Sequence, residues 1–75
     1  MQIRVKLMGM LQEHTPPNGF VDLPDDATIE HVLNLLKIPV DSVQVFSVNG
    51  SIERDRERPL QDGDELTVLP PVGGG

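Results

Sequence analysis

The sequence predicts an α+β domain, with one mixed sheet of four to five strands packed on one main helix. Three observations carry that prediction. First, the 75 residues begin and nearly end on segments that alternate polar and apolar, Gln2–Leu7 and Glu65–Leu69, the period of half-buried strands. Second, only one stretch has a helical period: Ile29, Val32, Leu33 and Leu36 fall at i, i+3, i+4 and i+7. Third, Asn49-Gly50 joins two short β runs, and that pair suits a two-residue turn in which both residues need positive φ. One helix with one apolar stripe covers one face of one sheet, which gives two layers. If the first and last strands lie side by side at the centre they run parallel, and the helix supplies the crossover. That is a β-grasp arrangement.

The elements follow in order. In the first strand Ile3, Val5 and Leu7 share the core face, and Gln2, Arg4 and Lys6 the other. Thr15-Pro16-Pro17-Asn18-Gly19 is a dense turn signal. Phe20–Leu23 reads as a second strand, with Val21 and Leu23 inward, closing an antiparallel hairpin with the first. Thr28 or Asp26 can cap the helix by accepting its free N–H groups, and Pro39 is expected to stop it after Lys37-Ile38. Val43–Val48 returns to strand chemistry, with Phe46 and Val48 inward and Ser51-Ile52 as the return strand. Glu53-Arg54-Asp55-Arg56-Glu57-Arg58 alternates sign at every step and reads as a solvated loop. Pro59–Asp64 is a turn, and Leu66 and Val68 point inward from the last strand. The expected core is Ile3, Val5, Leu7, Val21, Leu23, Ile29, Val32, Leu33, Leu36, Phe46, Val48, Leu60, Leu66 and Val68.

Composition narrows the function. The net charge is −6, which argues against nucleic acid, since phosphate binding needs a basic face. Phe20 and Phe46 are the only aromatic residues, so bases have little to stack on. There are no cysteines, which fits a reducing, cytoplasmic setting. No apolar run approaches a membrane span and no signal peptide opens the chain, so no membrane is expected as a partner. His14 and His31 lack the spaced partners of a metal site and read as surface residues. Ser42, Ser47 and Ser51 have no nucleophile-elbow setting. Asp62-Gly63-Asp64 reads as a turn before a strand. No bound metal or cofactor is expected, and no catalysis by the domain alone.

What remains reactive is the C-terminal end. Leu69-Pro70-Pro71-Val72-Gly73-Gly74-Gly75 divides the chain into a folded domain, residues 1–69, and a flexible tail, residues 70–75. The prolines remove two N–H donors and favour extended backbone, and the glycines carry no Cβ. Fully extended, residues 70–75 reach roughly 20 Å, at about 3.3–3.6 Å per residue, enough to enter a buried site on another protein. The apolar residues Leu69, Pro70, Pro71 and Val72 are expected to be exposed in the isolated domain and to dock on a partner.

Phe46-Ser47-Val48-Asn49-Gly50, Pro59-Leu60, Asp62-Gly63-Asp64-Glu65-Leu66, Pro70-Pro71-Val72 and the terminal Gly-Gly together resemble the small sulfur-carrier proteins. These are the small subunit of molybdopterin synthase and the thiamine-pathway carrier, both ubiquitin-like β-grasp domains. Met8-Gly9-Met10-Leu11-Gln12-Glu13 is similar to the Phe-Ala/Gly-x-Leu-x-Glu stretch of the molybdopterin branch, with Met8 in place of the aromatic. Gly73 stands where an Ala-Gly-Gly ending has its alanine. The resemblance implies that an activating enzyme similar to that of ubiquitin adenylates Gly75 with ATP, and that sulfur then converts it to a thiocarboxylate. It implies Gly74 and Gly75 as the reactive residues, and Leu69, Pro70, Pro71, Val72 and Gly73 as the partner-binding segment. It also implies a large synthase subunit, or another sulfur acceptor, as the second partner. Three alternatives stay open: a thiamine-pathway or other sulfur carrier, a ubiquitin-like modifier joined through Gly75 to target lysines, and a plain interaction module with an inert tail.

Overall fold

The computed structural model describes residues 1–71. Five strands form one mixed sheet in the order β2-β1-β5-β3-β4: β1 (Gln2–Leu7), β2 (Phe20–Asp22), β3 (Val45–Val48), β4 (Ser51–Glu53) and β5 (Glu65–Leu69). The first and last strands are neighbours and parallel, with Arg4 opposite Glu65 and Leu7 opposite Val68. All other pairings are antiparallel. One helix, α1 (Ile29–Leu35), covers a single face, so the β-grasp expectation is met.

Alternation decides the faces. Ile3, Val5 and Leu7 of β1, Leu66 and Val68 of β5, and Phe46 and Val48 of β3 are buried against Ile29, Val32 and Leu33. Of the expected core only Leu36 falls short, lying half-buried at its edge. Three residues join the core unforeseen: Leu11, Ala27 and Ile38. Leu11 belongs to a 3-10 segment, Gly9–His14, where neither strand nor helix periodicity applies.

The helix is held at both ends. Thr28 is its N-cap, accepting from the His31 N–H at 3.3 Å. The first free N–H groups find partners across the fold. Ile29 donates to the Arg58 carbonyl at 3.3 Å and Glu30 to the Arg56 carbonyl at 2.9 Å. The alternating-charge loop therefore does more than face solvent, because its backbone caps α1. At the other end the expectation that Pro39 stops the helix is corrected. Lys37 has φ of 59°, its N–H donates to the Asn34 carbonyl (3.2 Å), and the Ile38 N–H donates to that of Leu33 (2.9 Å). This is a Schellman motif, with Ile38 packed back into the core. The helix ends because of Lys37 conformation, before Pro39 acts.

β3 starts at Val45 rather than Val43, after a 3-10 turn at Val40–Ser42. Asn49 and Gly50 have φ of 52° and 88°, as the two-residue turn requires. Among the described residues no helix is long and apolar enough to cross a membrane, and no three His, Cys, Asp or Glu side chains could hold a metal ion.

Candidate functional site

The two central strands end together. β1 finishes at Leu7 and β5 at Leu69, and being parallel they finish at the same end of the sheet. The tail therefore leaves from the middle of the sheet, not from an edge. Its root is fixed on both sides. The Met8 N–H donates to the Val68 carbonyl at 3.2 Å, and the Gln44 N–H to the Leu69 carbonyl at 2.8 Å. Leu69 also lies opposite Val45 on β3. Pro70, without an N–H, adds no further rung to the ladder.

Pro70 instead packs sideways against Gly9. A Cβ at Gly9 would lie 3.0 Å from Pro70 Cγ, and Gly9 has φ of 56°, so the site suits a residue without a side chain. Gly9 opens the 3-10 segment that carries buried Leu11 and exposed Met10. That segment reaches the helix through His14, whose Nδ1 lies 3.2 Å from the Leu36 carbonyl. His14 is thus half-buried at the C-terminal end of α1, which corrects its reading as a surface residue. His31 is exposed, as expected.

Of the sequence-predicted site residues, Leu69, Pro70 and Pro71 are in view, whereas Val72, Gly73, Gly74 and Gly75 lie outside the described residues. Pro71 is exposed, but Leu69 and Pro70 are half-buried, a correction to the expectation that all three stand free. The cause is their company: Leu69 is still in the sheet, and the Pro70 ring fills the space left by Gly9. Sequence reasoning missed Gln44 and Gly9 as supports of the tail root. Their contacts join residues far apart in the chain: Gly9 stands in a stretch quoted for the family resemblance, but nothing local ties it to Pro70, and no local pattern marks Gln44.

The opposite end of the sheet carries a polar network. Asn49 Nδ2 donates to Asp64 Oδ1 at 2.8 Å, and Asn49 Oδ1 accepts from the Glu65 N–H at 2.9 Å. Asp64 Oδ2 accepts from the Gln61 N–H at 2.8 Å, so this buried carboxylate, 8% exposed, has donors on both oxygens. Asp62 Oδ1 accepts from the Gln2 N–H at 2.8 Å. The Asn-Gly and Asp-Gly-Asp-Glu sequences thus tie the β3–β4 turn, the start of β5 and the start of β1 together. Their role in the fold is structural.

Solved structures with this architecture include a small archaeal modifier protein and subunits of molybdopterin-converting factors. SAMP1 from Haloferax volcanii, small archaeal modifier protein 1, is 25% identical, with a TM-score of 0.71 over 100% of both chains. A putative molybdopterin converting factor, subunit 1, from Pyrococcus furiosus is 22% identical, with a TM-score of 0.73 over 96% of this chain and 99% of that one. A complex of subunits 1 and 2 of the molybdopterin-converting factor from Helicobacter pylori contains a chain that is 23% identical, with a TM-score of 0.66 over 100% of both chains. No curated protein is significantly similar in sequence. The model of the ThiS family matches residues 5–75, terminal glycines included. The chain thus belongs to the ThiS family of small, ubiquitin-like sulfur-carrier proteins.

Proposed function

We propose that the protein is a sulfur carrier whose Gly75 carboxylate is converted to a thiocarboxylate that donates sulfur in cofactor biosynthesis, molybdopterin being the first candidate. The observation that carries this reading is the family match running through to Gly75, on a chain whose tail leaves from the central strand of the sheet. A carboxylate is a poor electrophile. Attack of a Gly75 oxygen on the α-phosphorus of ATP, in the site of an adenylating enzyme, expels pyrophosphate and turns the carboxylate into an acyl-adenylate with a good leaving group. The terminal sulfur of a persulfide then displaces AMP, and a second thiol reduces the acyl disulfide to release the thiocarboxylate. Gly73, Gly74 and Gly75 give the carbonyl a path free of side chains, and residues 69–72 dock on the partner's surface. Residues 1–69 act as the folded handle and 70–75 as the reactive tail.

The handle's part in this is to present the tail. The half-buried Leu69 and Pro70 set where it begins, and Pro71 is exposed from the start. The Helicobacter pylori complex of two molybdopterin-converting subunits supports a large synthase subunit as the acceptor's host. Intact mass after incubation with ATP, an adenylating enzyme and a persulfide donor tests the reading. Exchange of one oxygen for sulfur at Gly75 is expected, and an unchanged mass with an enzyme that modifies a bona fide carrier counts against it.

A second reading has its own support, the similarity to SAMP1 over the full length of both chains. The same activated Gly75 would then join the amine of a target lysine as an isopeptide. Recovery of the protein from cells as conjugates, rather than as the free thiocarboxylate, separates the two.

A further inference from the structure

Two Asn-Gly pairs occur, Asn18-Gly19 and Asn49-Gly50. Both asparagines have positive φ, 63° and 52°, and both serve turns. Their side chains are treated differently. The Asn49 amide is gripped at both atoms, donating to the Asp64 carboxylate and accepting from the Glu65 N–H. Its backbone N–H also donates to the Glu65 carbonyl at 2.8 Å. Asn18 is exposed, and no side-chain hydrogen bond among the described residues involves it. Its turn is closed by one bond between neutral backbone groups, Gly19 N–H to the Pro16 carbonyl at 3.0 Å.

We propose that Asn18-Gly19 is a site of spontaneous deamidation in the native protein, and that the fold suppresses the same reaction at Asn49-Gly50. The Gly19 amide nitrogen, giving its proton to solvent base, attacks Asn18 Cγ. A C–N bond forms, the Cγ–Nδ2 bond breaks, and ammonia leaves with a proton from solvent. Water then opens the five-membered succinimide at either carbonyl, giving aspartate or isoaspartate. The sum is one water consumed and one ammonia released, without oxidation or reduction. Glycine at the second position leaves the approach to Cγ open. The reaction adds one negative charge at a chain position already in solvent.

The difference between the sites is what each must break. Asn18 has ψ of 0°, so the attack needs its ψ to rotate. That rotation parts the turn bond to Pro16 and strains the pairing of the nearby Phe20 with Arg4 at the end of β2, but breaks no side-chain hydrogen bond of Asn18. At Asn49 the attack needs two side-chain bonds to part, one of them to a charged carboxylate, and the hairpin turn to lift from the start of β5. The product at Asn49 would also set a second carboxylate against Asp64.

Peptide mapping of the full chain over time at neutral pH, with detection of isoaspartate, tests this. In the native protein Asn18 is expected to lose its amide about tenfold faster than Asn49, or more, since local opening limits the latter. In denaturant the two rates should converge. Equal native rates overturn the proposal, and so does a ratio that persists in denaturant, because local sequence and not the fold would then set it. Asn18→Gly, which keeps the positive φ, should remove the fast component, a gain of about one dalton per chain, with little change in thermal unfolding. A fast component that survives the substitution also overturns it.

Discussion

The two ends of the sheet are built differently. At one end Asn49, Asp62 and Asp64 join three chain segments through side-chain hydrogen bonds, and the buried carboxylate is fully partnered. At the other end the tail root rests on two backbone bonds and on the fit of the Pro70 ring against Gly9. The helix C-terminus there is closed by a lysine in a left-handed conformation and by His14. One end locks strands whose order must not change. The other fixes where the tail starts and leaves Pro71 exposed. On the proposed function, fold and function are thereby separated along the strand direction, and substitutions can address each end alone.

The largest expected effect is on activity at the tail end. Deleting Gly75, or adding one residue after it, shifts the reacting carbon by about 3.5 Å. A misplacement of 1 Å can cost about a hundredfold, so adenylation should fall by at least that factor. Thermal unfolding should stay unchanged. An extended chain adenylated at the wild-type rate would show that the tail is not read by length.

Next is the shared core beneath both ends. Leu33 is fully buried, and Leu33→Ala should cost about 2–5 kcal/mol, read by denaturant unfolding. In a domain this small that loss can unfold the protein. A cost below that range would mean the helix is a lesser part of the core than its burial implies.

At the locked end, Asn49→Gly keeps the positive φ but deletes the amide. It leaves one Asp64 oxygen and the Glu65 N–H without their partner, at about 1–3 kcal/mol. Adenylation of the folded protein should be unaffected. If stability does not change, the network adds nothing beyond the turn, and the contrast between the ends loses its energetic side.

The tail end should answer more weakly. His14→Ala frees the Leu36 carbonyl and should cost about 0.5–1.5 kcal/mol. Smallest of all is Lys37→Gly. Relief of a left-handed residue is worth roughly 1–2 kcal/mol, and the entropy of a new glycine takes back about 0.4–1. A net gain of about 0.5 kcal/mol should appear as a slightly higher Tm, and a loss would mean that the Lys37 side chain makes contacts that outweigh the strain.

Much of this molecule was legible from local pattern. Period-two alternation set Gln2–Leu7 and Glu65–Leu69 to the residue, because side chains on a strand must take opposite faces. Asn49-Gly50 announced its turn through φ, and one apolar stripe on one helix required a two-layer domain. The parallel direction of first and last strands was legible only on the condition that they lie side by side, and that adjacency is shown by the sheet order. The Gly-Gly end and its motifs pointed to the family before any geometry was available.

Other features needed the tertiary structure, since each depends on a partner far along the chain. Leu11 is buried because the 3-10 segment folds onto the sheet, and no repeat of two or 3.6 reports that. The Arg56 and Arg58 carbonyls cap α1 although their own sequence reads as solvated. Asp64 looked like a turn former, yet its carboxylate is held by Asn49, fifteen positions away. Leu69 and Pro70 looked free, and are half-buried because Val45 and Gly9 meet them. Residue type and spacing determine which backbone shapes and faces are affordable locally. Which distant groups satisfy a given hydrogen bond, or fill a given gap, is decided only when the whole chain packs.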